Sequence, residues 1–325
     1  MKKALITGIS GQDGSYLAEL LLGKGYEVHG VVRRSSIENS DKIKNLENCI
    51  DQVKLHTASL NDHLAIYKLI SFIRPDECYH FAASSFVSYT FEDEMSIMST
   101  NFSSTHFLLS SIKELVPACK FYFSGSSEMF GDAEFHPQDE ETRFNPRSIY
   151  GIAKLASYYI VKRYREQHGL FACTGIAYNH ESPRRDSAFV TRKITLAVAK
   201  IYLGLSDGLE LGNIDATRDW GYAPEFVEGM WRMLACTEET KDYVLCTGIA
   251  HTVRDVLEVA FSAVQLEYEK YVKSKEDYFR PSERVILLGN HTKIKRELGW
   301  EPQVKFDDMI REMVKHDIAL LSSKM

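Results

Sequence analysis

Two short runs of this chain carry side chains that could move protons. Ser124-Gly125-Ser126-Ser127-Glu128 follows the strand-like apolar run Phe121-Tyr122-Phe123, so its hydroxyls and carboxylate should emerge at a strand's C-terminal edge. Tyr150-Gly151-Ile152-Ala153-Lys154 sets a phenol and an ammonium at i and i+4, one turn apart on one helix face. A nearby ammonium favours the phenolate and draws a tyrosine pKa down from about 10. Such a phenolate could take a proton from an alcohol near neutral pH. An isolated Tyr-x-x-x-Lys is also an ordinary surface pair, so its meaning depends on the elements that position it.

Those elements begin at the N-terminus. Lys3-Ala4-Leu5-Ile6-Thr7 reads as a buried parallel strand, and Gly8-Ile9-Ser10-Gly11-Gln12-Asp13-Gly14 follows it. The helical run Tyr16 to Leu22 and the strand Val28 to Val32 come next. A strand, a G-x-x-G-x-x-G turn, a helix and a second strand together form a dinucleotide-binding pattern. Glycines admit a pyrophosphate, and the helix N-terminus offers it N–H donors. An acid at the end of the second strand would select NAD; this chain has Arg33-Arg34-Ser35-Ser36, which suits the 2′-phosphate of NADP and leaves NAD possible.

The alternation continues with strands at 52–56, 77–83, 120–124 and 170–178 and helices at 62–72, 95–115 and 150–168. It predicts an α/β protein with a Rossmann-type doubly wound parallel sheet and a smaller C-terminal α/β substrate-binding domain. We assign residues 1–178, with a return near 219–262, to the nucleotide-binding domain and 179–218 with 263–325 to the substrate domain. In the second half, Asn179-His180-Glu181-Ser182-Pro183-Arg184-Arg185 follows a strand. A helix from Val190 to Leu203 carries Arg192, Lys193 and Lys200, and Arg218 and Arg280 lie in further polar segments. In a net acidic chain these cations point to a second phosphorylated ligand, although most Lys and Arg are simply solvated.

Composition narrows the class. The chain has 325 residues, 44% hydrophobic and 26% charged, with a net charge of −6, ordinary for a soluble globular protein. The acidic balance argues against nucleic-acid or anionic-membrane partners. No apolar run approaches the roughly 18 residues of a membrane span, and no cleavable leader pattern opens the chain, so a cytoplasmic enzyme is expected. The six cysteines show no C-x-x-C pair and no metal-like spacing with histidine, so no metal is expected.

With these residues in view, the chain resembles the extended short-chain dehydrogenase/reductases that modify nucleotide sugars, and within them the GDP-mannose 4,6-dehydratase branch. The resemblance covers nearly the whole length and is densest at 7–36, 144–155, 175–200 and 218–231. It implies that Tyr150 takes the proton of the sugar 4-hydroxyl, that Lys154 holds the nicotinamide ribose, and that Ser126 bonds O4. Glu128 would remove the C5 proton and assist loss of the 6-hydroxyl as water, with hydride returned to C6 to give a 4-keto-6-deoxy sugar.

The resemblance further implies cofactor contacts from Gly8, Gly11, Gln12, Asp13, Gly14, Arg33, Arg34, Ser35, Ser59, Leu60, Ala82, Ser84, His180 and Arg185. Contacts to the sugar nucleotide are implied for Ser85, Asn179, Val190, Lys193, Arg218, Arg280 and Glu283. The 33–36 loop resembles one that helps build a tetramer, so a homodimer or homotetramer is expected. Ala83-Ser84-Ser85-Phe86-Val87 departs from the family's Ala-Gln-Ser-His-Val, Ser59 stands where an Asp is usual, and the segment from Ser262 to Arg280 is shorter than the family's. These departures bear on the sugar, leaving open a GDP-mannose, a GDP-heptose or a CDP-linked sugar. A 4-dehydrogenase or epimerase needs only Ser126, Tyr150 and Lys154, and a glutamate at 128 also resembles nucleotide-sugar decarboxylases. A non-catalytic dinucleotide-binding protein is the reading of another class.

Overall fold

A computed structural model describes residues 1–37, 39–83, 91–275 and 286–325. Along the chain come β1 (Lys3–Thr7), α1 (Gln12–Gly23), β2 (Glu27–Val32), the single turn α2 (Arg34–Ile37), β3 (Lys54–Thr57), α3 (His63–Ile73) and β4 (Glu77–His80). Then come α4 (Phe91–Met98), a π-helical turn, α5 (Ser104–Leu115), β5 (Lys120–Ser126), α6 (Ile149–His168) and β6 (Ala172–Ala177). The second half runs through β7 (Asn179–Glu181), α7 (Val190–Tyr202), β8 (Leu209–Leu211), β9 (Thr217–Tyr222), α8 (Ala223–Ala235) and β10 (Tyr243–Leu245). It closes with β11 (Ala250–Thr252), α9 (Val253–Ser262), β12 (Val272–Ser274), α10 (Thr292–Leu298) and α11 (Phe306–Ser322).

Seven strands form one parallel sheet in the order β10-β6-β5-β4-β1-β2-β3, the doubly wound architecture expected. The strand order reverses between β1 and β4, and in open sheets that reversal opens a ligand crevice at the strands' C-terminal edge. Ala4, Leu5 and Ile6 of β1 are wholly buried, and so are Phe121 and Tyr122 of β5, as strands covered on both faces require. Local chemistry sets the helix ends. Asp62 caps α3 by accepting from Ala65 N at 3.1 Å, and Ser148 caps α6 by accepting from Gly151 N at 3.0 Å. Thr252 and Asp255 form a reciprocal capping box on α9.

A second core joins α7, α9 and α11, with Val198, Val256, Leu257, Ile310 and Met313 buried among them. The chain returns to the large sheet through α8 and β10, β10 pairing with β6. Helix α9 is different: the sequence reading carried that return to residue 262, whereas α9 packs on α7 and α11. Trp300, far along the chain, packs in the sheet's core and donates its indole N–H to Glu225 O at 2.8 Å. Five cysteines are buried, all six are free, and among the described residues no helix is long and apolar enough to cross a membrane.

Candidate active site

The β1–α1 turn is a cradle that only glycine permits. Gly8 has φ +76°, and a Cβ there would stand 2.9 Å from Ala82 N at the end of β4. A Cβ on Gly14 would stand 2.3 Å from Gly8 O, so the first turn of α1 lies directly against the loop. Gly11 is the N-cap of α1 and supplies no side-chain acceptor, which leaves the first amides of the helix and its positive dipole end for a ligand anion. Arg33, Arg34 and Ser35 stand at the C-terminal end of β2, with Lys42 Nζ reaching Ser35 Oγ at 3.4 Å. Ser59 and Leu60, past the end of β3, line the same side. This donor set fits a dinucleotide.

The end of β5 shows the strand-edge chemistry in its burial pattern. Ser124, Ser126 and Glu128 are half-buried while Gly125, Ser127 and Met129 between them are buried. Strand alternation puts the Ser124 and Ser126 hydroxyls on one face of β5, and a 3-10 turn over Ser127–Met129 then carries Glu128 to the same crevice. The chain from Phe130 loops out and comes back, held by Asn145 N to Phe130 O at 3.2 Å and Asp132 N to Asn145 O at 3.0 Å. It re-enters at α6, and a Cβ on Gly151 would meet Glu128 O at 2.5 Å. The glycine between Tyr150 and Ile152 therefore lets the helix start dock on the backbone of Glu128. This contact brings the two proton-moving runs together.

Lys154, on the next turn, is buried and donates to Ser124 O at 2.6 Å. Its ammonium lies 4.9 Å from the Phe123 ring centroid and 5.8 Å from that of Tyr150. Burial lowers the Lys154 pKa to about 8, although Asp13 supports its charge. The Tyr150 phenol is pushed the other way from the sequence expectation, up to about 12. Burial is the main cause, opposed by a hydrogen bond from Ser126 and the charge of Arg185 and reinforced by Glu128. The Lys154 ammonium is engaged by the Ser124 carbonyl, and burial dominates the phenol.

Behind this edge, Asp13 pairs with His180 Nε2 at 3.0 Å, and His180 Nδ1 donates to Tyr178 O at 2.7 Å. Burial alone would raise the Asp13 pKa; the His180 charge, the Gln12 amide and Arg185 outweigh it and hold the carboxyl at about 2. The same pairing raises His180 against its burial, and both ring nitrogens face acceptors, the Asp13 carboxylate and the Tyr178 carbonyl. Arg185 packs on Phe189, its guanidinium carbon 3.6 Å from the ring centroid, and its Nε lies 3.2 Å from Glu181 Oε2.

The described residues given catalytic, cofactor or sugar-nucleotide roles from the sequence all line one crevice of about 2240 Å³. Typical small-molecule pockets occupy roughly 300–1,000 Å³, so the space suits two nucleotide-sized ligands end to end. At the far end stand Asn179 on β7, Val190 and Lys193 on α7, and Arg218. Arg218, expected only in a polar segment, sits on strand β9, and Lys193 Nζ donates to Glu210 O at 2.8 Å. Arg192, named beside Lys193, also borders the crevice but spends its charge on Asp317 of α11. Ser84, Ser85, Phe86, Arg280 and Glu283 lie outside the described residues. The sequence reading passed over Arg184 as a site residue: nothing in a pair of adjacent arginines says which one turns back toward α1. Among the described residues no cluster of His, Cys, Asp or Glu could hold a metal.

The family described as GDP-mannose 4,6 dehydratase matches residues 5–313. The GDP-mannose 4,6 dehydratase 2 of Arabidopsis thaliana is 46% identical over 330 residues, 98% of this chain and 87% of that protein. Among solved structures, RMD from Pseudomonas aeruginosa complexed with NADPH has a TM-score of 0.83 at 22% identity, covering 98% of this chain and 100% of that one. A dTDP-glucose 4,6-dehydratase from Bacillus anthracis in complex with NAD has a TM-score of 0.84 at 18% identity, covering 100% and 98% of the two chains. At those identities the two structures speak for the fold alone.

Proposed function

The chain belongs to the GDP-mannose 4,6-dehydratase family and is a GDP-sugar 4,6-dehydratase; on that premise we propose that Ser126, Glu128, Tyr150 and Lys154 perform the reaction. The observation that supports the assignment is the docking of Gly151 on the Glu128 backbone, with the Glu128 charge acting on the Tyr150 phenol and both residues lining the crevice. Tyr150 takes the proton of the 4-hydroxyl. Its phenolate is favoured by the Ser126 hydrogen bond and the Arg185 charge, which work against burial. Once C4 is a ketone, the C5 proton is acidic, and Glu128 removes it. The same carboxyl then delivers a proton to the departing 6-hydroxyl, which leaves as water. A nicotinamide dinucleotide, when bound, supplies the hydride acceptor and donor. Gly8, Gly11 and Gly14 would hold its pyrophosphate, and Lys154 its nicotinamide ribose.

We assign GDP-mannose as the sugar nucleotide, with Lys193 and Arg218 on its phosphates, and NADP as the cofactor. The NADP assignment is supported by Arg33, Arg34 and Ser35 at the end of β2, where an acid would be needed to bond a free 2′-hydroxyl. Replacing Arg34 with Ala should weaken NADP by roughly tenfold while changing NAD little, as loss of one charge-assisted phosphate contact implies. Equal weakening of both, measured by titration, argues against NADP.

The activity is tested by incubating the purified protein and its cofactor with GDP-mannose and weighing the product. Loss of one water is expected. Loss of two hydrogens with stoichiometric reduced cofactor would mark a 4-dehydrogenase, and an unchanged mass an epimerase. Glu128→Gln should still reduce the cofactor but release no water. Normal turnover in that variant removes Glu128 from the mechanism.

A further inference from the structure

One face of α1 carries Gln12, Ser15, Tyr16 and Glu19 at helical spacing, and each of them is held by the segment that links β7 to α7. Gln12 Nε2 donates to His180 O at 2.9 Å, and Ser182 Oγ donates to Gln12 Oε1 at 2.8 Å. Arg184 reaches further along the helix. Its Nη1 donates to Ser15 Oγ at 3.1 Å and its Nη2 to Glu19 Oε1 at 2.6 Å, while the guanidinium lies 4.1 Å over the Tyr16 ring centroid. Arg185, its neighbour, is turned away onto Glu181 and Phe189. The two arginines therefore do different work: one faces the ligands, the other fastens the segment down.

We propose that Ser182–Arg184 is a latch closed over the first turns of α1, that it retains the dinucleotide through each catalytic cycle, and that Arg184 is its positioning residue. The proposal rests on the dehydratase reading above, because only a reaction without net redox change requires that hydride taken from C4 stay in the crevice until C6 receives it. The geometry serves that need. The latched segment lies against the helix whose N-terminus receives the pyrophosphate, and it continues directly into α7, which lines the sugar-nucleotide end. Its contacts are polar and charge-assisted rather than apolar, so they hold orientation and can still be released as a set. Arg184 makes two hydrogen bonds and a stacking contact from one rigid planar group, which a lysine cannot reproduce.

The test reads cofactor release with no sugar nucleotide present. Protein carrying reduced NADP is chased with excess oxidised NADP, and loss of the bound-cofactor fluorescence gives the dissociation rate. Arg184→Ala and Glu19→Gln should each raise that rate roughly tenfold. The double variant should be no faster than the worse single, because the two residues act through one contact. Arg184→Lys should fall between, and melting temperatures should stay within a few degrees of the parent. With GDP-mannose, turnover by Arg184→Ala should come to depend on added cofactor. Unchanged dissociation rates in folded variants overturn the latch. Should Arg184→Ala fail to fold, Glu19→Gln and Arg184→Lys decide the question by the same rate. If the parent releases no water from GDP-mannose, the dehydratase reading fails separately, since the dissociation rates are measured without sugar.

Discussion

His80, at the end of β4, uses both ring nitrogens. Nδ1 meets Thr7 Oγ1 at 2.7 Å, and Nε2 meets Thr105 Oγ1 at 3.1 Å and Ser104 Oγ at 3.2 Å. Burial, helped by the charge of Lys154, lowers its pKa from 6.5 to about 3. The folded protein therefore refuses a proton that the unfolded chain accepts below pH 6.5. Stability contributed by the neutral ring is complete above that pH and is lost progressively as pH falls toward 3. One such group lowers stability by about 2 kcal/mol at pH 5. The difference in urea midpoint between pH 7 and pH 5 should be smaller in His80→Gln than in the parent, and equal differences exclude this role. Thr7 also accepts from Ala82 N at 3.3 Å, so the same residue sets the strand end against which Gly8 packs. At this scale the sequence told which groups could react but not their ionisation. Tyr150 and Lys154 were legible as a pair at i and i+4, yet the phenol rises to about 12 and the amine falls to about 8, because burial outweighs the attraction the spacing suggested.

Helices α7 and α11 are joined by a buried ion pair between Arg192 and Asp317, and Thr195 Oγ1 donates to Asp317 at 2.7 Å. Around it lie the apolar residues Val198, Met313 and Val314. Removing one partner leaves an uncompensated charge, so Asp317→Leu should lower unfolding stability by about 3–5 kcal/mol, read from the urea midpoint. Arg192→Met added to Asp317→Leu should recover most of that loss, because a paired charge and an apolar pair of similar volume differ little there. A double variant as unstable as the single would contradict this. The element matters for function because Val190 and Lys193 reach the crevice from the same helix. Element boundaries were largely legible: the helix expected over 150–168 runs Ile149–His168, ended by Gly169 at φ +64°. The helix expected over 95–115 is broken by a π turn at Ser99–Ser103, where Asn101 O accepts from Ser157 Oγ of α6 at 3.2 Å. Thr105 Oγ1 donates to the same carbonyl at 3.0 Å, and hydrophobic periodicity within one segment carries no trace of such a turn.

Across the whole molecule, two halves of the chain enclose one crevice, and its parts come from places as distant in sequence as Gly8 and Arg218. The sequence alone determined the parallel α/β alternation, the glycine turn, the cationic end of β2 and the identity of the proton-moving side chains. Each of these depends on residues close together in the chain: buried strands read as apolar runs, and backbone that must touch a ligand reads as glycine. Only the tertiary structure decided that α9 belongs with α7 and α11 and that Arg218 stands on a strand. It also decided that Arg192 is a packing charge while Arg184 fastens a loop from the second half onto α1. The physical reason is the same in each case. A side chain's chemistry is fixed by its type, but its partner, its burial and hence its charge state are fixed by segments distant in the chain, as the bond from Arg184 to Glu19 is.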